Sequence, residues 1–114
     1  MTNFKSSTLK VPGARLYHEV RGAGPLLLLI CGGPQDAGVF ADLAERNSDR
    51  RTVVAYDPRG NSRSPFDGEP EDLDLDVQAD DAAALIAALG GAPAAVVGNS
   101  VGAQIGRTLA ARDP

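Results

Sequence analysis

The sequence has few of the residue types on which small secreted domains depend. Its 114 residues include one cysteine, one histidine and no tryptophan. A lone cysteine, Cys31, makes no internal disulfide. Residues 1–10 also lack the apolar core of a signal peptide. We therefore expect a reducing, cytoplasmic setting for this chain.

Long apolar runs and clustered bases are missing as well. The longest apolar runs, residues 26–31 and 82–89, are far short of the ~18 residues that a membrane-spanning helix needs. The 11 Lys and Arg residues are scattered, and 15 Asp and Glu residues give a net charge of −4. The Lys and Arg residues form no basic stripe that could bind a nucleic acid. The sequence contains no Gly-Lys-Ser or Gly-Lys-Thr, and its glycine spacing differs from a dinucleotide fingerprint. We expect no membrane, nucleic-acid or cofactor binding.

The order of predicted elements indicates the fold class. Pro12-Gly13 separates two alternating segments and predicts an antiparallel hairpin. Apolar runs bounded by turn residues then alternate with helical patterns. The predicted hairpin strands are residues 8–11 and 14–21, the central strands are 26–31, 52–56 and 94–97, and the helices are 36–50, 72–89 and 101–112. This order predicts an α/β domain with a parallel sheet, right-handed crossovers and helices on both faces.

Two helices carry more detailed predictions. Asp36 is the predicted N-cap of the first helix, whose inward face is predicted to be Val39, Phe40, Leu43 and Ala44. Eight acids crowd the segment before and within the second helix, and we interpret them as a solvated face whose early acids complement the helix dipole. They do not resemble a loop of spaced oxygen ligands, so no metal site is predicted. These acids are Asp67, Glu69, Glu71, Asp72, Asp74, Asp76, Asp80 and Asp81.

The strongest chemical signal is Gly98-Asn99-Ser100-Val101-Gly102, between a predicted buried strand and a helix. Small residues two before and two after a serine allow a sharp, strained turn that exposes its hydroxyl. The predicted nucleophile is Ser100. The Val101 N–H at the helix start is a predicted oxyanion donor. The alternative is a glycine-rich strand-to-helix turn without chemistry.

With this motif the chain resembles the α/β-hydrolase family, and two further segments carry the likeness. Cys31-Gly32-Gly33-Pro34 is similar to the family's His-Gly-x-Pro loop, which implies that the Gly33 N–H is the second oxyanion donor. The segment from Asp57 to Ser64 is similar to the Asp-x-Arg-Gly-x-Gly-x-Ser loop. The resemblance implies a strand order of hairpin, 52–56, 26–31, 94–97, and places Gly33 within about 10 Å of Ser100.

Three departures from the family pattern stand out. Cys31 replaces the usual histidine, and its position in an apolar run favours an inert core residue. Ser62 replaces a glycine. The family's catalytic acid and histidine follow the nucleophile, yet Asp113 is the single acid after Ser100 and no histidine follows it. His18 lies in the outer hairpin, where we expect a packed or edge histidine.

The resemblance implies that residues 1–114 are the N-terminal portion of a single, incomplete α/β-hydrolase domain. The completed enzyme would act through Ser100 on an ester, amide or related acyl substrate. The alternatives are an inactive truncated chain, either an interaction module or a gene remnant, and a separate polypeptide that supplies the missing groups. Strand 94–97 is expected to be an open apolar edge, which predicts self-association.

Overall fold

Five strands form one mixed sheet in the computed structural model, which describes residues 4–32, 35–68, 74–90 and 93–112. The hairpin strands pair antiparallel, as do β2 and β4, whereas β3 lies parallel to both β4 and β5. The spatial order is β1-β2-β4-β3-β5, which confirms the predicted order. The strands are β1 (Lys5–Val11), β2 (Ala14–Arg21), β3 (Leu26–Ile30), β4 (Thr52–Tyr56) and β5 (Ala94–Gly98).

Helices cover both faces of this sheet. One face packs against α2 (Leu75–Leu89) and α3 (Val101–Arg112), and the other packs against α1 (Ala41–Asn47) and the short 3₁₀ helix Ala37–Phe40 that precedes it. All five residues of β3 are buried. A continuous apolar run is what a central parallel strand requires, because it has no solvent-facing side. The α/β architecture predicted from the sequence is therefore confirmed.

The first helix is shorter than predicted, and only part of its predicted inward face, Phe40 and Ala44, is buried. Instead of a continuous helix over 36–50, a 3₁₀ turn precedes α1, although Asp36 is the N-cap and accepts from Gly38 N. The helix ends early because Asn47 and Ser48 side chains donate to backbone carbonyls of the last turn, in competition with continued helix. Ala37, Phe40 and Ala44 face the sheet. Val39 and Leu43 were predicted to face inward but are exposed.

One acid of the predicted solvated face is buried. Asp81, on α2, is 3% exposed, and its carboxylate accepts two hydrogen bonds of 2.8 Å from the Arg59 guanidinium. Arg59 also donates to Pro12 O at 2.7 Å. The pair connects the loop after β4 with the second helix and with the hairpin turn. A charge inside the fold is tolerated here because its partner is bidentate and equally buried.

The last strand, β5, lies at the edge of the described sheet, as predicted. Val96 and Val97 are 36% and 43% exposed. In the part of the chain that the structure describes, no helix is long and apolar enough to cross a bilayer. The end of β5 leads directly into the turn that carries Ser100.

Candidate active site

Ser100 occupies the turn between β5 and α3. Its φ is +54°, a left-handed conformation that costs a residue with a side chain roughly 1–2 kcal/mol. Ser100 is exposed, and Val101 directly after it begins α3. A strained turn thus holds a solvent-accessible hydroxyl at the N-terminus of a helix, in the arrangement that the motif predicted.

Gly98 and Gly102 allow this turn to press against the neighbouring strand. A Cβ on Gly102 would lie 2.1 Å from the carbonyl oxygen of Ile30 and 2.9 Å from that of Cys31. A Cβ on Gly98 would lie 2.5 Å from the carbonyl oxygen of Gly102. Contacts this short do not occur between a side chain and backbone without displacement. Gly102 is therefore needed for close packing of α3 on the end of β3, and Gly98 for close packing of α3 on the end of β5.

The segment after β3 touches the candidate nucleophile. A Cβ on Gly32 would lie 2.8 Å from Ser100 Cβ and 2.9 Å from Val101 N. The Gly32 N–H donates to Asn99 Oδ1 at 3.0 Å and to Gln35 Oε1 at 3.2 Å. The Gly32 backbone and the turn that carries Ser100 are thus in van der Waals contact and joined by a hydrogen bond.

The geometry offers one candidate oxyanion donor directly. The Val101 N–H belongs to the first residue of α3, and the first N–H groups of a helix have no partner within it. The helix dipole adds positive potential at this end. The second predicted donor, Gly33, lies outside the described residues, and so does its predicted distance to Ser100.

Hydrogen bonds from the loop that begins at Asp57 hold the segment that follows Gly32. The Asp57 side chain is fully buried at the end of β4. One carboxylate oxygen accepts from Ala37 N at 2.8 Å, and the other accepts from Arg63 N at 2.9 Å and from Arg63 Nε at 2.8 Å. Asn61 Nδ2 donates to Gln35 O at 3.0 Å. The Asp57 loop therefore holds the segment between β3 and α1 in place.

The backbone explains the glycine that the family has at position 62. Ser62 has a φ of +42°, again in the left-handed region, where glycine is conformationally permissive. This chain accommodates a serine there at a conformational cost. The loop stays closed because Ser64 Oγ donates to Asp57 O at 2.6 Å and accepts from Tyr17 N at 2.8 Å.

A buried charge network beside this loop was missed at the sequence level. The alternation of apolar and polar residues along β2 predicts that Glu19 and Arg21 lie on its more solvated face, yet they are 4% and 3% exposed and form an ion pair at 3.2 Å. Arg63 adds an ion pair to Glu19 at 3.6 Å and lies 3.9 Å from the Tyr17 ring centroid. Hydrogen bonds to Asp57 raise the pKa of Arg63, which keeps it charged. The alternating pattern could not reveal the pairing of Glu19 with Arg63, because Arg63 belongs to the distant loop after β4.

No described residue stands in for a catalytic base. His18 is 5% exposed, and its Nδ1 lies 3.2 Å from Leu16 O. His18 pairs with Tyr56, which pairs with Ile30, which pairs with Gly98. Three inter-strand steps of about 4.8 Å place it about 14 Å from the end of β5. The packed position predicted for His18 agrees with this placement, and Asp113 lies outside the described residues.

Cys31 has the surroundings of an inert thiol. Its side chain is 1% exposed, and Sγ lies 3.8 Å from Tyr56 O. Burial raises the pKa of Cys31 to about 12, and the nearby Asp57 carboxylate adds to the rise. Because the thiolate is the reactive form, a thiol with such a pKa is a poor nucleophile at neutral pH. Among the described residues, no group of three His, Cys, Asp or Glu side chains could hold a metal ion.

A model of the alpha/beta hydrolase fold family matches residues 25–114. The chain belongs to this family. It is 43% identical over 109 residues to an uncharacterized hydrolase, YraK, of Bacillus subtilis, with 96% of this chain and 40% of the relative covered. It is 39% identical over 112 residues to a 2-(acetamidomethylene)succinate hydrolase of Mesorhizobium japonicum, with 98% of this chain and 40% of the relative covered.

Solved structures agree with this assignment. A structure from Pseudomonas aeruginosa, described as that of a candidate epoxide hydrolase, superposes with a TM-score of 0.90 at 36% identity. The match covers 97% of this chain and 38% of that protein. The chain thus spans about 40% of the length of the curated relatives that it matches.

Proposed function

We propose that this protein is a serine hydrolase for an ester, amide or related acyl compound, with Ser100 as its nucleophile. The observation that carries the proposal is the conformation of Ser100. An exposed serine is held at a φ of +54° directly before a 12-residue helix. Strained backbone at such a position is a feature of functional sites.

The chemistry follows from the groups around this serine. A base removes the proton of Ser100 Oγ, and the oxygen attacks the substrate carbonyl carbon to give a tetrahedral oxyanion. The Val101 N–H donates to that oxyanion, supported by the dipole of α3. Collapse of the intermediate expels the alcohol or amine and leaves an acyl group on Ser100. Water then hydrolyses this acyl-enzyme by the same route.

The proposal requires a base and an acid that the residues described by the structure do not place at the site. His18 is buried about 14 Å away, three strands across the sheet. In this proposal the chain supplies the nucleophile and oxyanion half of one hydrolase domain. The base and acid come from further residues of the same protein or from a separate polypeptide.

The substrate class is supported by one relative. The Mesorhizobium relative is named as a hydrolase of an acetamido compound, which contains an acylated nitrogen. Cleavage of such a bond fits attack by a serine at a carbonyl carbon. A cytoplasmic setting stays a prediction that depends on the lone Cys31.

The decisive experiment labels Ser100 covalently. The protein expressed from its full reading frame, the chain of residues 1–114 and the Ser100→Ala variant of each are treated with a fluorophosphonate probe. Peptide mass spectrometry then locates the adduct. We expect the adduct on Ser100 when the base is present. We expect only background on residues 1–114, because loss of the base costs a triad enzyme about 10⁶-fold in turnover.

The other outcomes decide between the alternatives. No adduct in any form would refute a nucleophilic role and favour an inactive interaction module. Robust labelling of residues 1–114, lost in Ser100→Ala, would show that these residues find a base in another molecule. His18→Ala would then test whether a second copy donates its histidine.

A further inference from the structure

Asn99 has contacts that the proposed chemistry does not yet use. Its backbone N–H donates to Ile30 O at 3.2 Å, and its Oδ1 accepts from Gly32 N at 3.0 Å. One residue of the Ser100 turn is therefore hydrogen-bonded to both sides of the point where β3 ends. Asn99 O also accepts from Gly102 N at 2.8 Å, within the first turn of α3.

The contacts of Gly32 show why this bond matters. Gly32 packs against Ser100 and Val101 so closely that an added Cβ would lie 2.8 Å from Ser100 Cβ and 2.9 Å from Val101 N. The distance between Gly32 and the Ser100 turn is therefore short. Loss of the hydrogen bond between Gly32 and Asn99 would allow this distance to increase. The braces from Asp57 and Asn61 act further along the segment, on Ala37 N and Gln35 O.

We propose that Asn99 is a positioning residue that fixes the end of β3 against the Ser100 turn through the Gly32 N–H. The inference rests on the proposed function of Ser100. The bond also occupies the Gly32 N–H, so this group does not compete for the substrate oxygen. An amide suits this position because its oxygen accepts the bond without placing a negative charge beside a developing oxyanion.

The test uses two variants of equal shape. Asn99→Leu keeps the size of the side chain but has no acceptor, whereas Asn99→Asp keeps an acceptor oxygen. Asn47→Ala is the control, because it removes a side-chain amide that donates to Leu43 O on α1, away from the site. Each variant of the protein from the full reading frame is assayed with p-nitrophenyl acetate. Exchange of the Gly32 amide proton is followed by NMR.

We expect Asn99→Leu to lower kcat by about 10- to 100-fold with KM within about twofold, because small misplacements of reacting groups have effects of this size. Its Gly32 amide proton should exchange faster, because only the longer bond to Gln35 Oε1, at 3.2 Å, remains. Asn99→Asp should restore the slow exchange, because a carboxylate oxygen also accepts from the Gly32 N–H, but its kcat should stay below that of the unsubstituted protein because a negative charge then lies beside the developing oxyanion. Asn47→Ala should match the unsubstituted protein in both measurements.

Three results would overturn the inference. The first is unchanged Gly32 exchange in Asn99→Leu, which would show that the side chain does not hold this amide. The second is fast Gly32 exchange in Asn99→Asp, which would show that an acceptor oxygen at this position does not hold the amide. The third is an unsubstituted protein with no Ser100-dependent turnover, which would refute the proposed function and this inference together. The first two occur in an active protein and leave the role of Ser100 intact.

Discussion

Replacement of Gly102 by alanine tests whether the Ser100 turn depends on close approach of α3 to β3. The added Cβ would lie 2.1 Å from Ile30 O, whereas a carbon–oxygen contact needs about 3.3 Å. Helix and strand must therefore separate by about 1 Å. Such overpacking costs about 1–3 kcal/mol, and contact with rigid backbone atoms places this site at the upper end. The displacement would also move Val101, which begins the same helix.

Gly106→Ala, one turn later on α3, is the matched control. An added Cβ there meets Val96 Cγ1 at 3.4 Å, an ordinary contact. Both variants gain the same ~1 kcal/mol of helix propensity, so their difference isolates the steric cost. Hydrogen exchange of α3 amides at low micromolar concentration measures it. A cost of about 3 kcal/mol makes exchange about 100-fold faster in Gly102→Ala than in Gly106→Ala. Equal protection in the two variants would refute the close-packed elbow.

Two further predictions concern the buried ion pair and the sheet edge. Asp81→Ala removes the carboxylate beside the buried Arg59 guanidinium and should lower the free energy of unfolding, measured in urea, by about 3–5 kcal/mol. The double variant Arg59→Met, Asp81→Leu should lower it clearly less, because no charge is then left buried without a partner. A double variant at least as unstable as Asp81→Ala would contradict this. Val97→Lys places a charge on the open edge strand and should reduce self-association in sedimentation velocity, whereas Val39→Lys, at a similarly exposed valine on the 3₁₀ helix, should not. Equal association of the two lysine variants would locate the contact elsewhere.

The strand before Ser100 was predicted to be buried, but Val96 and Val97 on β5 are exposed. The positions of β3 and β4 were predictable from the sequence because each is a buried apolar run between turn residues. The course of the backbone between the strands was less predictable. The early end of α1 depends on the Asn47 and Ser48 side chains, which compete with the helix for backbone carbonyls. The inward face was predicted correctly at Phe40 and Ala44. Val39 and Leu43 were misassigned because the 3₁₀ turn before α1 changes the spacing of the residues that face the sheet.

The candidate site was likewise only partly predictable from the sequence. The motif placed Ser100 and Val101 correctly between strand and helix, because small residues around a serine have a local conformational meaning. The bond from Gly32 to Asn99 spans 67 residues, and no local pattern contains it. The same holds for Asp81, whose charge predicts exposure until a bidentate partner from another loop is known.

The position of β3 between β4 and β5 sets an order in which the sheet is completed during synthesis. β3 ends at Ile30, whereas its neighbours β4 and β5 end at Tyr56 and Gly98. After β4 has been made and can pair with one edge of β3, 42 further residues must be made before β5 is complete and can pair with the other edge. At about 5–20 residues per second the ribosome takes about 2–8 s to make them. During that interval β3 offers unpaired amides and carbonyls beside a row of leucines. Ribosome-bound chaperones that recognise extended apolar segments should therefore engage the nascent chain most strongly at this stage.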